Sequence, residues 1–111
     1  MFILHDNSPL PEIAREINRL QKLLRDLNRA QMGRHPDPEI VANAPVLEGW
    51  QVATRPEPCL VGTMHGHPHV EEGHIGMTSG LWLLAPTLGY ARTLSRIYAL
   101  GRSAARRDNL N

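Results

Sequence analysis

Gly73-His74-Ile75-Gly76-Met77-Thr78-Ser79-Gly80-Leu81-Trp82-Leu83-Leu84 is the stretch that decides the fold class. It holds two short apolar runs, His74 to Thr78 and Leu81 to Leu84, separated by glycine; each has the length of a strand and is too short for a helix. The same punctuation recurs upstream at Trp50 to Thr54 and Cys59 to His65, so everything after Gly49 reads as a small β-sheet. Between two of these runs, Val70-Glu71-Glu72-Gly73-His74 suits a three-residue hairpin loop, a type I turn followed by glycine in the left-handed region.

Downstream, Tyr90-Ala91-Arg92-Thr93-Leu94-Ser95-Arg96-Ile97-Tyr98-Ala99-Leu100-Gly101 fits two periods. Tyr90, Leu94, Ile97 and Tyr98 fit a helix, whereas Leu94, Tyr98 and Leu100 fit strand alternation. Threonine, isoleucine and tyrosine favour the strand. Residues 102–111 form a polar tail.

Upstream the period is unambiguous. Leu10, Ile13, Ile17, Leu20, Leu24 and Leu27 recur at alternating spacings of 3 and 4, which predicts one amphipathic helix over residues 9–32. Ser8-Pro9 reads as its start, with serine capping an amide and proline giving up no donor, and Gly33 as its stop. The six apolar positions trace an a/d seam of about two and a half heptads. Such a stripe either covers the domain's own sheet or joins a second copy, and Leu23 widens it toward the sheet-covering use. Residues 33–48, with Pro36, Pro38 and Pro45, form a connector; Asp37 to Ala42 suits one helical turn, and Ala44-Pro45-Val46-Leu47 is expected to dock on the core.

The chain of 111 residues fits one domain, and its 41% apolar and 21% charged residues are ordinary globular usage. A net charge of +1 gives no global attraction to nucleic acid, but the charge is uneven. Arg15, Arg19, Lys22, Arg25 and Arg29 fall in the helix; Arg92, Arg96, Arg102, Arg106 and Arg107 gather near the end. Cys59 is the single cysteine, which excludes an intramolecular disulfide. Met1-Phe2-Ile3-Leu4-His5-Asp6 lacks the composition of a signal peptide and no apolar run is long enough for a span, so a cytoplasmic protein without membrane contact is expected.

Four of the six histidines lie between His65 and His74 beside Glu71 and Glu72. Histidine is the commonest metal ligand and titrates nearest neutral pH. If Val70 stood opposite His74 in a hairpin, His65, His67 and His69 would share one face and His74 the other. His65 and His69 would then be roughly 13 Å apart, too far to share one zinc with bonds of about 2 Å. The metal reading therefore rests on His67 with His65 or His69 and an acid such as Glu71 or Glu72, holding zinc or another divalent transition metal. The simpler reading makes Gly66-His67-Pro68 structural, with no cofactor: glycine permits close approach, proline fixes direction, and the imidazole bonds the backbone.

The half from Trp50 to Gly101 carries a Gly-x-x-x-Gly-His-Pro element at Gly62 to Pro68, a turn glycine at Gly73, a Thr-Ser pair at Thr78-Ser79, and a closing Arg-Thr-x-Ser-Arg-x-Tyr-x-Leu-Gly at Arg92 to Gly101. In these it resembles a family of small bacterial proteins, a domain of unknown function. The resemblance implies a compact domain, lends weight to the strand reading of the closing motif, and carries over no catalytic residue.

Other chemistry is sparse. Cys59 sits among Pro58, Leu60 and Val61, the setting of a buried inert thiol rather than a nucleophile. Ser79 and Ser95 lack a nucleophile elbow, and Gly62, Gly66, Gly73 and Gly76 do not make a phosphate loop. Trp50 and Tyr98 with Arg92 and Arg96 would make a binding surface if exposed on one face, although aromatic residues, Trp82 above all, are more often core.

The expected architecture is α+β: an N-terminal amphipathic helix packed on a small, mainly antiparallel sheet or partly open barrel. The expected role is a non-enzymatic binding or accessory module whose partner the sequence does not identify; its arginine patches make an acidic partner, protein or nucleic acid, the first to test. The alternatives are a metal-binding protein or small metalloenzyme using His65, His67 and His69, and self-association through the Leu10–Leu27 stripe.

Overall fold

A computed structural model describes residues 1–104. It shows an α+β chain in two compact units, one made of Met1–Ser8 with the chain from Arg55 onward, the other of Pro9–Thr54. The tail arginines Arg106 and Arg107 lie outside the described residues.

In the second unit, α1 spans Pro11–Gln31. Pro11 disfavours helical backbone at Leu10, so Leu10 becomes the extended residue before the first turn and helix bonding begins there. The expected Ser8 cap is therefore displaced: no side chain caps α1, and the Ser8 amide instead donates to Asp6 Oδ1 (2.7 Å) in a turn of its own. The C-terminal expectation holds. Gly33 sits at φ +73°, its amide donates to the Ala30 carbonyl (3.0 Å), and the Arg34 amide donates to Arg29 (2.8 Å), the paired bonds of a Schellman motif. A second short helix, α2, covers Pro38–Ala42 as expected.

Two expectations for this unit fail. Trp50 to Thr54 forms no strand, and Trp50 and Val52 are 73% and 90% exposed. Val46 and Leu47, expected to dock on the core, are exposed as well. Alternation at Trp50 and Val52 is a strand signal only where a partner strand takes up the amides, and here the chain runs from Gly49 to Pro58 without a ladder.

The first unit holds the β structure. Its main sheet is mixed and open, with order β1-β4-β5-β6 from Phe2–Ile3, Leu81–Ala85, Tyr90–Thr93 and Ile97–Ala99. A separate antiparallel hairpin joins β2 (Val61–Thr63) to β3 (Ile75–Met77), and no barrel closes. The pairs β4–β5 and β5–β6 are antiparallel; β1 runs parallel to β4, pairing Phe2 with Leu83 and Ile3 with Leu84. The Thr87 hydroxyl donates to the His5 carbonyl (2.5 Å) just beyond β1.

The closing motif resolves into two strands rather than one, because the chain reverses at Leu94-Ser95-Arg96. Thr93 holds that reversal: it is 1% exposed, its hydroxyl accepts from the Ser95 and Arg96 amides (3.3 and 3.2 Å) and donates to the Arg96 carbonyl (3.1 Å). Ala85, Ala91, Leu81, Met64 and Gly80 are the other buried residues among those described. Register fixes the faces: Leu83, Arg92 and Ile97 are cross-strand neighbours on one face, and Leu84, Ala91 and Tyr98 on the other. Between Leu81 and Leu83 the register slips, which leaves Trp82 as a bulge residue without a cross-strand partner. Among the described residues, no helix is long and apolar enough to cross a membrane.

Candidate functional site

The histidine-rich run is a loop, not a strand arm. Ladder pairing ends at Thr63 with Ile75; beyond it the Met64 amide donates to the His74 carbonyl (2.8 Å) and the Gly73 amide to the Met64 carbonyl (2.9 Å). The residue facing the turn is thus Met64, not Val70, and the strand alternation expected for His65, His67 and His69 does not apply. Two residues enforce this. Gly66 takes φ +71° and Pro68 has no amide to give a ladder. Of the expected turn the left-handed glycine is present, Gly73 at φ +79°, but it lies inside a turn from Glu71 to His74, whose His74 amide donates to the Glu71 carbonyl (3.1 Å), and not after a type I turn closed by Val70.

Glu72 holds the start of the loop. Its Oε1 accepts from the Gly66 amide (2.8 Å) while Oε2 bonds His65 Nδ1. Those two bonds, the imidazole first and the amide second, hold the Glu72 carboxyl below the ordinary glutamate range. Glu71 pairs instead with His74 Nε2 (3.2 Å). The two acids considered as metal ligands are each engaged by a different histidine.

His67 occupies the middle of the loop and is half-buried. Its Nδ1 accepts the His69 amide (2.9 Å), its ring stacks on Tyr98 at 6.1 Å between centroids and 26° between planes, and the His69 ring meets it edge-on at 6.0 Å. An Nδ1 that accepts an amide bond must be unprotonated, so the neutral ring carries its hydrogen on Nε2, where it serves as a donor. Desolvation lowers the His67 pKa most, and the charges of Arg96 and His69 lower it further.

The residues anticipated from sequence are therefore partly united. Tyr98, Arg96, His67 and His69 gather about the edge strand β6. Arg92 lies on the opposite face from Tyr98, beside Ile97, and Trp50 belongs to the other unit. His65 is tied to Glu72, away from the His67 stack. Among the described residues, no three His, Cys, Asp or Glu side chains gather in an arrangement fit to hold a metal ion.

A contact that sequence reasoning missed joins the two ends of the unit's motif. Ser79 Oγ and Ser95 Oγ lie 2.8 Å apart, the Ser95 amide also donates to Ser79 Oγ (3.2 Å), and the Leu94 amide donates to the Gly80 carbonyl (2.8 Å). Thr78 Oγ1 accepts the Leu60 amide (2.9 Å) and donates to the Ser79 carbonyl (2.8 Å). The Thr-Ser pair and the Arg-Thr-x-Ser-Arg turn thus brace each other through hydroxyls. The signal was the recurrence of Thr and Ser at both places, but nothing local ties positions so far apart.

With these motifs placed, the comparison with protein families bears on them directly. The model of a family of unknown function, DUF6634, matches residues 10–110. The chain belongs to the DUF6634 family. The match takes in the helix as well as the motif-bearing half, so the family extends well beyond the stretch from Trp50 to Gly101. No curated protein and no solved structure matches the chain.

Proposed function

We propose that this DUF6634 member is a small non-enzymatic binding module that engages an acidic partner through His67, His69, Arg96 and Tyr98. The observation that carries this reading is the His67 imidazole itself. It is backed by Tyr98, fixed as an Nε2–H donor by the His69 amide, and has Arg96 and His69 as the charged neighbours that shift its titration. Arg96 brings permanent positive charge, so an oxyanion arriving there meets donors and a favourable field. Aromatic and arginine groups side by side suit phosphate-bearing or carboxylate-bearing chains alike.

The hydroxyls support a binding role over catalysis. Ser79 and Ser95 bond each other, and Thr78 and Thr93 bond backbone, so these groups are spent on structure rather than paired with a general base.

Retention on immobilised single-stranded oligonucleotide and on polyglutamate, at rising salt, tests the reading. Salt-sensitive retention that falls for Arg96→Ala and persists for Arg92→Ala, on the opposite face, is expected. Equal retention of wild type and Arg96→Ala, or none for wild type on either matrix, contradicts it.

A further inference from the structure

We infer that two copies of this chain pair through α1, antiparallel, along the seam Leu10, Ile13, Ile17, Leu20, Leu24 and Leu27. The inference is independent of the oxyanion site. It begins from exposure: α1 has no buried residue, Ile17 and Leu20, in the middle of its apolar stripe, are 49% and 36% exposed, and Leu24 and Leu27, at its C-terminal end, 59% and 58%. A contiguous apolar stripe of this kind marks an interaction surface.

The charges around the stripe select its occupant. In the heptad set by the seam, Ala14, Gln21 and Asn28 border it on one side and Glu16, Leu23 and Ala30 on the other. Glu16, the single charge among these six, is already paired with Arg19 (3.2 Å). Arg15, Lys22 and Arg29 project from the face opposite the stripe. A strongly acidic or basic partner helix therefore finds no free counter-charge beside the seam, whereas a second copy brings the same apolar stripe and margins whose one charge, Glu16, is already paired.

Orientation follows from the ends of the helix. Glu12 and Glu16 balance Arg15 and Arg19 in the first half, while Lys22, Arg25 and Arg29 outnumber Asp26 in the second. A parallel pair sets the two positive halves side by side. An antiparallel pair sets each against a balanced half and opposes the helix dipoles. It also matches all six seam residues in layers, Leu10 with Leu27, Ile13 with Leu24 and Ile17 with Leu20 of the other copy. The seam is shorter than the three or four heptads of a self-sufficient coil, so the dimer is expected to dissociate on dilution.

Sedimentation equilibrium of the full chain over a wide concentration range reads this out. A concentration-dependent dimer is expected for wild type and for Lys22→Glu, on the far face, with a monomer for Leu20→Glu/Leu24→Glu, whose exposed sites leave folding intact by circular dichroism. Wild type that stays monomeric throughout, or a dimer indifferent to the seam double variant, overturns the pairing. In a Cys59→Ser background, spin labels at Arg29→Cys separate the orientations: antiparallel helices offset the labels along the axis by about 32 Å at 1.5 Å per residue, and parallel helices leave no offset. A short label separation in the dimer overturns the antiparallel arrangement.

Discussion

His67 lies stacked on Tyr98, ring centroids 6.1 Å apart, although 31 positions separate them in the chain. The stack brings the histidine loop to β6 and so sets the imidazole beside Arg96, in the turn that precedes that strand. Neither residue would present a donor surface alone; together they make a fixed one.

The first consequence concerns titration. Burial of the ring, then Arg96, then His69 depress the His67 pKa below its ordinary value of 6.5. The unfolded chain therefore binds a proton at His67 more readily than the folded one, and stability from this group is fully present above pH 6.5 and lost as pH falls through the folded value. Arg96→Ala should move the His67 transition upward, toward 6.5, and Arg96→Lys should not. Imidazole proton shifts followed against pH check both.

Glu72 titrates with the same sign of effect, in the lower pH window of a carboxyl group. Its carboxylate is held low by His65 and by the Gly66 amide, so the loop's anchorage is present above the ordinary glutamate range and is lost as pH falls through the depressed value. Glu72→Gln should speed exchange of the Gly66 amide and leave amides of β4 and β5 unchanged. Hydrogen exchange by NMR reads each separately.

Much of this was legible in the chain, and the boundary is physical. The helix was readable because its 3-and-4 spacing is local, and Gly33 and Gly73 because left-handed backbone is a local demand that glycine meets. The pairing of Phe2-Ile3 with Leu83-Leu84 was not, since two residues carry no period and their partner lies at the other end of the unit. The histidine run was misread as an arm because alternation assumed the shortest loop; Gly66 and Pro68 instead open it, and Met64 closes it. Of the candidate site, Arg96 and Tyr98 are close in sequence and stay close in the fold, but the face shared by Arg92 and Ile97 depends on register, which no local pattern fixed.

Thr93 should be the costliest polar residue of the sheet to alter. Thr93→Val keeps shape but leaves the Ser95 and Arg96 amides without their acceptor, at a cost of about 1–3 kcal/mol. Urea unfolding should show a lowered midpoint with an unchanged slope. Thr93→Ser, which keeps the hydroxyl, should lose less.

Gly76 is tight for a different reason. A Cβ there would meet Met64 Sδ at 2.7 Å, so Gly76→Ala forces the buried methionine to move and should cost about 1–3 kcal/mol. Pairing it with Met64→Ala should make the two losses less than additive in the same unfolding measurement.

The proposed surface for oxyanions is built on the His67 imidazole and Arg96. An NMR titration of the full chain with a single-stranded oligonucleotide, and separately with polyglutamate, at low salt and with His67 observed directly, tests it most closely. At least one of these polyanions is expected to raise the His67 pKa, with Arg96→Ala weakening the response and Arg92→Ala leaving it in place. A His67 titration curve unmoved by both polyanions would rule out an oxyanion surface at His67 and Arg96.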